Sequence, residues 1–204
     1  MNRKEKAAET ELALKEAAKR VFATRGYLNT KITDITAEAG RAAGSFYNHF
    51  SGKEELLEAL LTDMFTQGDE YVAGDDTHSP DFTDRAAIRW HVAQHWHFYR
   101  EHRTELVALR QAALVNEDFA RRLQRLVTEG SDHMRDHLAY IPQAGLTPAG
   151  PTDLLVSAIA SLLDQFAYTW LAAGGDGSGR ALDDDEAIDT LTNLLHRGLA
   201  GQAT

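Results

Sequence analysis

Apolar residues recur in this chain at intervals of three and four, and glycine or proline closes most of the stretches in which they do. That period belongs to the α-helix, where i, i+3, i+4 and i+7 share one face. Leu14, Ala17, Ala18, Val21 and Phe22 form one such face, stopped at Gly26. A short helix follows from about Thr33 to Ala39, stopped by Gly40, and a second from about Ala43 to His49. Ser51 and Glu54 have the spacing of a capping box. Behind them Leu56, Leu57, Leu60, Leu61, Met64 and Phe65 make a broad apolar stripe. No stretch alternates with the period of two that a strand requires. The fold class is therefore all-α, with about nine helices.

Further along, "AGDDTHSPDFTD" reads as a loop and residues 85–102 as a helix with an aromatic and histidine face. A shorter helix covers 104–114, and Asn116 caps one that runs from 117 to Pro142. Residues 152–173 are apolar nearly all round and are expected to be buried on most sides. The acidic run Asp183–Glu186 suits the N-terminus of a last helix, about 184–200.

Charge divides the chain. Residues 1–53 hold ten lysines and arginines against six acidic side chains, a net of +4, and every lysine lies at or before Lys53. The formal net charge of the whole chain is −10, so the remainder carries −14. A basic head on an acidic body points to a module that meets a polyanion, carried by one that does not. The chain has no cysteine, which removes disulfides, thiolate metal sites and cysteine nucleophiles. No apolar run approaches the ~18 residues that a membrane helix needs, and the first twenty residues have no apolar signal core. The expected compartment is the cytoplasm, with no membrane partner.

Two short helices joined by a glycine turn and framed by longer ones describe a helix-turn-helix over residues 31–50. In that motif the second short helix enters the DNA major groove. Ala42, Ala43, Gly44 and Ser45 would stand at its N-terminal end, where small side chains let backbone approach closely. Ser45 can reach a base edge, Tyr47 and His49 can reach phosphate, and Lys53 starts the next helix.

These residues resemble the DNA-binding domain of the TetR family of bacterial transcriptional regulators. Phe22, Gly26, Tyr27, Thr30, Ile35, Ala39, Gly40, Gly44, Tyr47, Phe50, Lys53, Glu54 and Leu56 match its pattern in order and spacing. The resemblance covers about residues 8–68. It implies backbone contacts from Lys31 and Thr33, base-facing positions at Ala42, Ala43 and Ser45, and phosphate contacts from Tyr47, His49 and Lys53. Ile35, Ala39, Phe46 and Phe50 are implied to pack. The sequence departs from the pattern at Thr36, Arg41 and Ala43. The positive charge has moved from the recognition helix into the turn, where Arg41 either reaches DNA or lays its stem over the helix packing.

The rest, 69–204, is expected to be a helical ligand-binding and dimerisation domain. Helices 152–173 and 184–200 would build a four-helix bundle with a second copy, as the resemblance implies. An apolar effector pocket would draw on Phe65, His91, His95, Trp96, Tyr99, His102, Phe166 and Trp170. His91/His95 and His133/His137 have the i, i+4 spacing of helical metal ligands, with Asp132 and Asp136 beside the second pair. No cofactor, no metal and no catalytic residue are assigned. The reading is a one-component, ligand-responsive repressor that binds a palindromic double-stranded DNA operator as a homodimer and leaves it on binding a small molecule. The alternatives are a metal sensor built on the histidine pairs and a His-rich helical enzyme, although the chain has no phosphate-binding glycine loop and no Gly-x-Ser-x-Gly elbow.

Overall fold

A computed structural model describes residues 2–130 and 133–199. Among these, eleven α-helices and one π-helical turn are found. The expected span 117–141 is not one helix, because Ala139 interrupts it with a turn. Its described helical residues are α7 (Glu117–Gly130), α8 (His133–Leu138) and α9 (Tyr140–Gln143), and residues 131 and 132 of the span lie outside the described residues. Pro142 lies inside α9 instead of closing the long helix.

The chain forms two compact units. The first takes residues up to Gln67 together with Thr104–Arg125, and the second takes Gly68–Arg103 and the chain from Leu126 on. The division expected at 68/69 counts residues 104–125 with the body, and the structure places them with the head. Two contacts explain it. The Tyr27 amide donates to Gln111 Oε1 at 3.1 Å, and Arg122 pairs with Glu58 at 2.7 Å.

In the first unit α1 (Arg3–Arg25) is capped by Asn2, whose side chain accepts from the Glu5 amide while Glu5 returns the bond. Its buried residues are Leu14, Ala17, Ala18, Val21 and Phe22, as the period requires. Gly26 ends it at φ 72°, a value in the left-handed region that favours glycine. α2 (Ile32–Glu38) ends at Gly40, φ 63°, where the Arg41 amide reaches back to Thr36 O at 2.9 Å. That long reach satisfies the last carbonyls of α2 and turns the chain into α3. α3 covers only Ala43–Phe46, and 3.0 Å and 2.9 Å backbone bonds from His49 and Phe50 to Phe46 O finish the segment as turns.

α4 (Lys53–Ala73) does not begin with the expected capping box. The Ser51 amide donates to Glu55 at 2.6 Å, and Glu54 instead accepts from the Tyr27 hydroxyl at 2.7 Å. Beside it the Lys53 ammonium donates to the carbonyls of Tyr27 (2.9 Å) and Thr30 (2.6 Å) and lies 4.2 Å from the Tyr27 ring centre. Lys15 joins α1 to α4 through Asp63 at 2.9 Å. Leu56, Leu57, Leu60, Leu61 and Met64 of α4, Ile35, Phe46 and Phe50 fill the core, with Ala108, Leu109 and Ala112 of α6 (Arg103–Val115). As expected, Asn116 caps α7 by accepting from the Phe119 amide at 3.0 Å.

The second unit is organised by α5 (Arg85–Glu101) against α11 (Asp184–Leu199). Arg89 bonds Asp185 and Asp189 at 2.9 and 2.8 Å, Arg85 bonds Asn193 at 3.0 Å, and Arg100 pairs with Asp184. The acidic start of α11 thus serves its own N-terminus and a row of arginines one helix away. Beneath this row Ile88, Val92 and Trp96 pack among Ile188, Leu191 and Leu195 as buried core.

α10 (Thr152–Ala167) continues into the π turn Tyr168–Ala172, closed by a bond from the Ala173 amide to Tyr168 O at 2.9 Å. Two expectations change here. The helix is not buried on most sides, since within one chain only Val156, Ile159, Leu163 and Ala167 are buried while Leu154 stays 62% exposed. In addition, Thr152–Ala172 is long and apolar enough to cross a membrane by length and composition. Ser, Thr, Asp and Gln interrupt the apolar letters and hide this from a reading that looks for an unbroken run. The described residues contain no strand.

The Tyr27–Glu54 bond yields a stability prediction. Burial and the neighbouring carboxylate hold the Tyr27 phenol well above its usual pKa, so it stays a donor. Tyr27→Phe should cost about 1.5–3 kcal/mol, the range for a hydrogen bond to a charged group, read as a lower urea midpoint at unchanged m-value.

Candidate nucleic-acid interface

α2, the Gly40 turn and α3 place the expected DNA-facing residues on the first unit. Lys31, Thr33, Ala42, Ala43 and Gly44 are exposed, Ser45 is half-buried, and Tyr47 is 62% exposed. An aromatic ring left this open while its neighbours Phe46 and Phe50 are buried is not serving the core. Phe46 holds the segment down, packing against Tyr47 and Phe50 with ring centres 5.7 and 5.6 Å apart. Lys31 precedes α2 and its amide donates to Asp34 at 2.9 Å, which fixes where that helix begins.

Three of the expected residues are engaged inside the unit. Arg41 Nη2 donates to Glu9 on α1 at 3.1 Å, while its Nε is buried with no partner. Its stem covers the packing, and its head is held by a carboxylate. His49 keeps 13% of its side chain exposed and stands 3.8 Å from Glu11. Lys53 spends two N–H groups on the carbonyls of the α1–α2 turn, and burial draws its pKa below the usual lysine value.

The structure adds residues that motif reading passes over. An open concavity of about 510 Å³ is lined by Arg3, Lys6, Ala7, Thr10, Ser45, Asn48 and His49. Two cations from the start of α1 therefore stand with the polar end of the α3 segment. The signal for Arg3 and Lys6 is the basic N-terminus, but only the packing of α1 brings it here.

The expected pocket residues divide between the two units. His91, His95, Trp96, Tyr99, His102, Phe166 and Trp170 lie in the second unit and Phe65 in the first. Trp96, Tyr99 and His102 are buried, and Trp96 donates to Asp184 at 2.8 Å. Phe166 lies 5.9 Å from Trp96 and 6.2 Å from Trp170, centre to centre. His95 Nε2 is buried with no hydrogen-bond partner. A second concavity, about 170 Å³, is lined instead by Leu155, Ala158, Ile159, Leu162, Leu194, Leu195, Gly198 and Leu199 of α10 and α11.

Among the described residues, the cluster with metal-ligand spacing is not either of the i, i+4 pairs. His91 and His137, one from each pair, converge with His78, which the motif search missed because it stands alone in the 74–84 loop. Burial pushes the His91 imidazole down to about 4 and lowers that of His137. His133 is exposed and Asp132 lies outside the described residues.

Residues 14–60 match the family described as bacterial regulatory proteins, tetR family. The HTH-type transcriptional regulator TtgR of Pseudomonas putida is 44% identical over 61 residues, which is 30% of this chain and 29% of that protein. The match thus spans less than a third of the relative's length. Over nearly the whole chain the fold is that of solved regulators. The fatty acid degradation regulator FadR of Bacillus halodurans superposes with a TM-score of 0.75 at 19% identity, covering 93% of this chain and 96% of its own. FadR of Bacillus subtilis, solved in complex with stearoyl-CoA, gives 0.71 at 18%, covering 92% and 98%.

The orphaned His95 nitrogen has a consequence for acid stability. Burial lowers its pKa below the ordinary 6.5, so the unfolded chain takes up a proton that the folded chain resists. Its contribution is fully present above pH 6.5 and is lost as pH falls through that value toward the folded pKa. Urea midpoints measured from pH 7 downward should fall with acid, and His95→Phe should flatten part of that slope.

Proposed function

Because residues 14–60 place this chain in the TetR family of bacterial regulatory proteins, we propose that it is a one-component, ligand-responsive transcriptional repressor. It acts in the cytoplasm on a palindromic double-stranded DNA operator and catalyses no reaction. The observation that carries this reading is the exposed Ala42–Tyr47 segment, held on a buried Phe46 and flanked by a cationic concavity.

The division of labour follows from the chemistry of each side chain. Ala42 and Ala43 offer methyl contact to thymine, and Ser45 offers a hydroxyl to a base edge. Tyr47, Lys31, Thr33, Arg3 and Lys6 meet phosphate, which sets register without reading sequence. Lys53 and His49 support the segment from behind, at the edge of the same surface. Arg41 stays with Glu9 until a phosphate competes for it, so its role is conditional on that exchange.

A second copy covers α10 and α11. Leu154 and Leu194 are 62% and 57% exposed, and between the two helices runs the apolar groove of Leu155, Ile159, Leu162 and Leu195. A homodimer buries Leu154 and Leu194, covers the groove and sets two recognition segments about one DNA turn, ~34 Å, apart. The effector enters beside His95, Trp96 and Tyr99. The unpartnered His95 Nε2 supplies a polar anchor in an apolar wall, which is the composition of a small-molecule site. The stearoyl-CoA complex of the Bacillus subtilis regulator supports an apolar effector in this fold. Effector binding shifts the population toward a dimer that no longer fits the groove spacing, with α4, which begins at Lys53, as the element shared by both units.

Fluorescence anisotropy on DNA from around the gene tests this reading. The native chain should bind a specific site with affinity that falls steeply as salt rises. Tyr47→Ala should weaken specific and non-specific DNA alike by roughly 10-fold, the worth of one hydrogen bond to a charged group. Ser45→Ala should instead change base preference. Unchanged affinity in Tyr47→Ala would show that the recognition segment is misassigned. For the dimer, Leu194→Glu buries a carboxylate in the interface, and sedimentation should show monomer at concentrations where the native chain is dimeric.

A further inference from the structure

Three histidines from three separate elements aim their Nε2 atoms at one point in the second unit. His78 belongs to the 74–84 loop, His91 to α5 and His137 to α8. His78 Nε2 lies 3.2 Å from His91 Nε2 and 3.3 Å from His137 Nε2, and all three lie within 4.8 Å of one another.

The protons of two rings are fixed elsewhere. His91 Nδ1 lies 2.8 Å from Ala87 O, and His137 Nδ1 lies 2.7 Å from His133 O. A carbonyl oxygen only accepts, so each Nδ1 carries its ring's N–H. In the neutral ring, each Nε2 is then a bare lone pair. His78 Nε2 holds at most one proton, which cannot serve two lone pairs well. A cation at the convergence point satisfies all three.

The distances suit one. Two imidazole nitrogens bound at ~2.05 Å to a tetrahedral zinc ion stand about 3.3 Å apart. The Nδ1–H bonds to backbone carbonyls are the outer-shell contacts that orient ligating histidines. The third ligand is held as firmly. Trp90 Nε1 donates to Asp75 at 3.0 Å and so pins the loop, and its ring lies 4.9 Å from that of His78. Phe82 closes the other side, 4.9 Å from the His91 ring and 5.2 Å from the His137 ring.

We propose that His78, His91 and His137 form a binding site for a divalent transition-metal ion of the zinc class. Three neutral imidazoles select zinc, cobalt, nickel or copper over magnesium or calcium, which take oxygen. The fourth position is left to water or to a donor atom from a small molecule. The ion ties the 74–84 loop and α8 to α5. The site stands on its own geometry and does not depend on whether the chain binds DNA.

Tag-free, chelator-treated full-length protein is titrated with Co²⁺, followed by its visible absorption, and with Zn²⁺ in competition with a chromogenic chelator. One ion per chain should bind. His78→Ala, a change in a loop, should weaken Zn²⁺ binding roughly 100-fold or more, at least the upper cost of losing an outer-shell partner. His97→Ala, on the exposed face of α5, should leave it unchanged. In the unaltered chain, Zn²⁺ should shift the imidazole NMR resonances of three histidines and leave the others in place, a readout that needs no variant to fold. Absence of binding at micromolar Zn²⁺ overturns the proposal. So does uptake that His78→Ala leaves intact, or a shift pattern on other histidines.

Discussion

The Lys53 ammonium sits where the chain turns from α1 to α2 and takes up the carbonyls of Tyr27 and Thr30. Buried carbonyls in a turn must find donors. The Thr30 amide reaches Tyr27 O only at 3.2 Å, and the shorter bonds to both carbonyls come from Lys53, the first residue of α4. Glu54 beside it receives the Tyr27 hydroxyl. Adjacent residues of opposite charge thus fasten the start of one long helix to the end of another. α2 and the α3 segment are short, and helices of that length do not hold themselves together in water. Their position derives from this junction and from Phe46 and Phe50 beneath them. The support of the exposed Ala42–Tyr47 segment therefore lies partly at Lys53 and Tyr27, outside the segment itself.

Much of this was legible in the sequence, for a physical reason. Gly26 and Gly40 end helices because only glycine takes a positive φ at low cost, so their places in the chain mark real turns. The buried faces of α1 and α4 follow the helical period, with Phe65 at the end of the α4 stripe left half-buried. Pairing across long separations was not legible. Glu54 has the spacing of a cap, yet a tyrosine twenty-seven positions earlier claims it and Glu55 takes the cap. Arg41 meets Glu9 on α1. Gln111 and Arg122 carry 104–125 to the head, which no local pattern announces. The turn at Ala139 and the π turn after Ala167 leave no trace in periodicity, because apolar letters continue on both sides of each.

The histidines show the same limit. Spacing of i, i+4 brings two side chains to one helix face, but it does not decide which rings meet. His95 turns into the core and His133 to solvent, while their partners converge with a residue that stands in no helix. His78 could be singled out only once the loop was anchored by Trp90 and Asp75. Its contribution is invisible to any search confined to helical faces.

The confinement of lysine to the head has a further meaning in terms of covalent chemistry. All six amine side chains lie at or before Lys53. Lys15 and Lys19 are held by carboxylates and Lys53 by carbonyls, whereas Lys4, Lys6 and Lys31 are exposed. An acyl donor that reacts with side-chain amines therefore has no target in the body and three ready ones in the head. Acylation there removes positive charge from the surface assigned to phosphate and leaves the arginine–aspartate row between α5 and α11 unaltered. The distribution of one amino acid makes the head chemically addressable on its own.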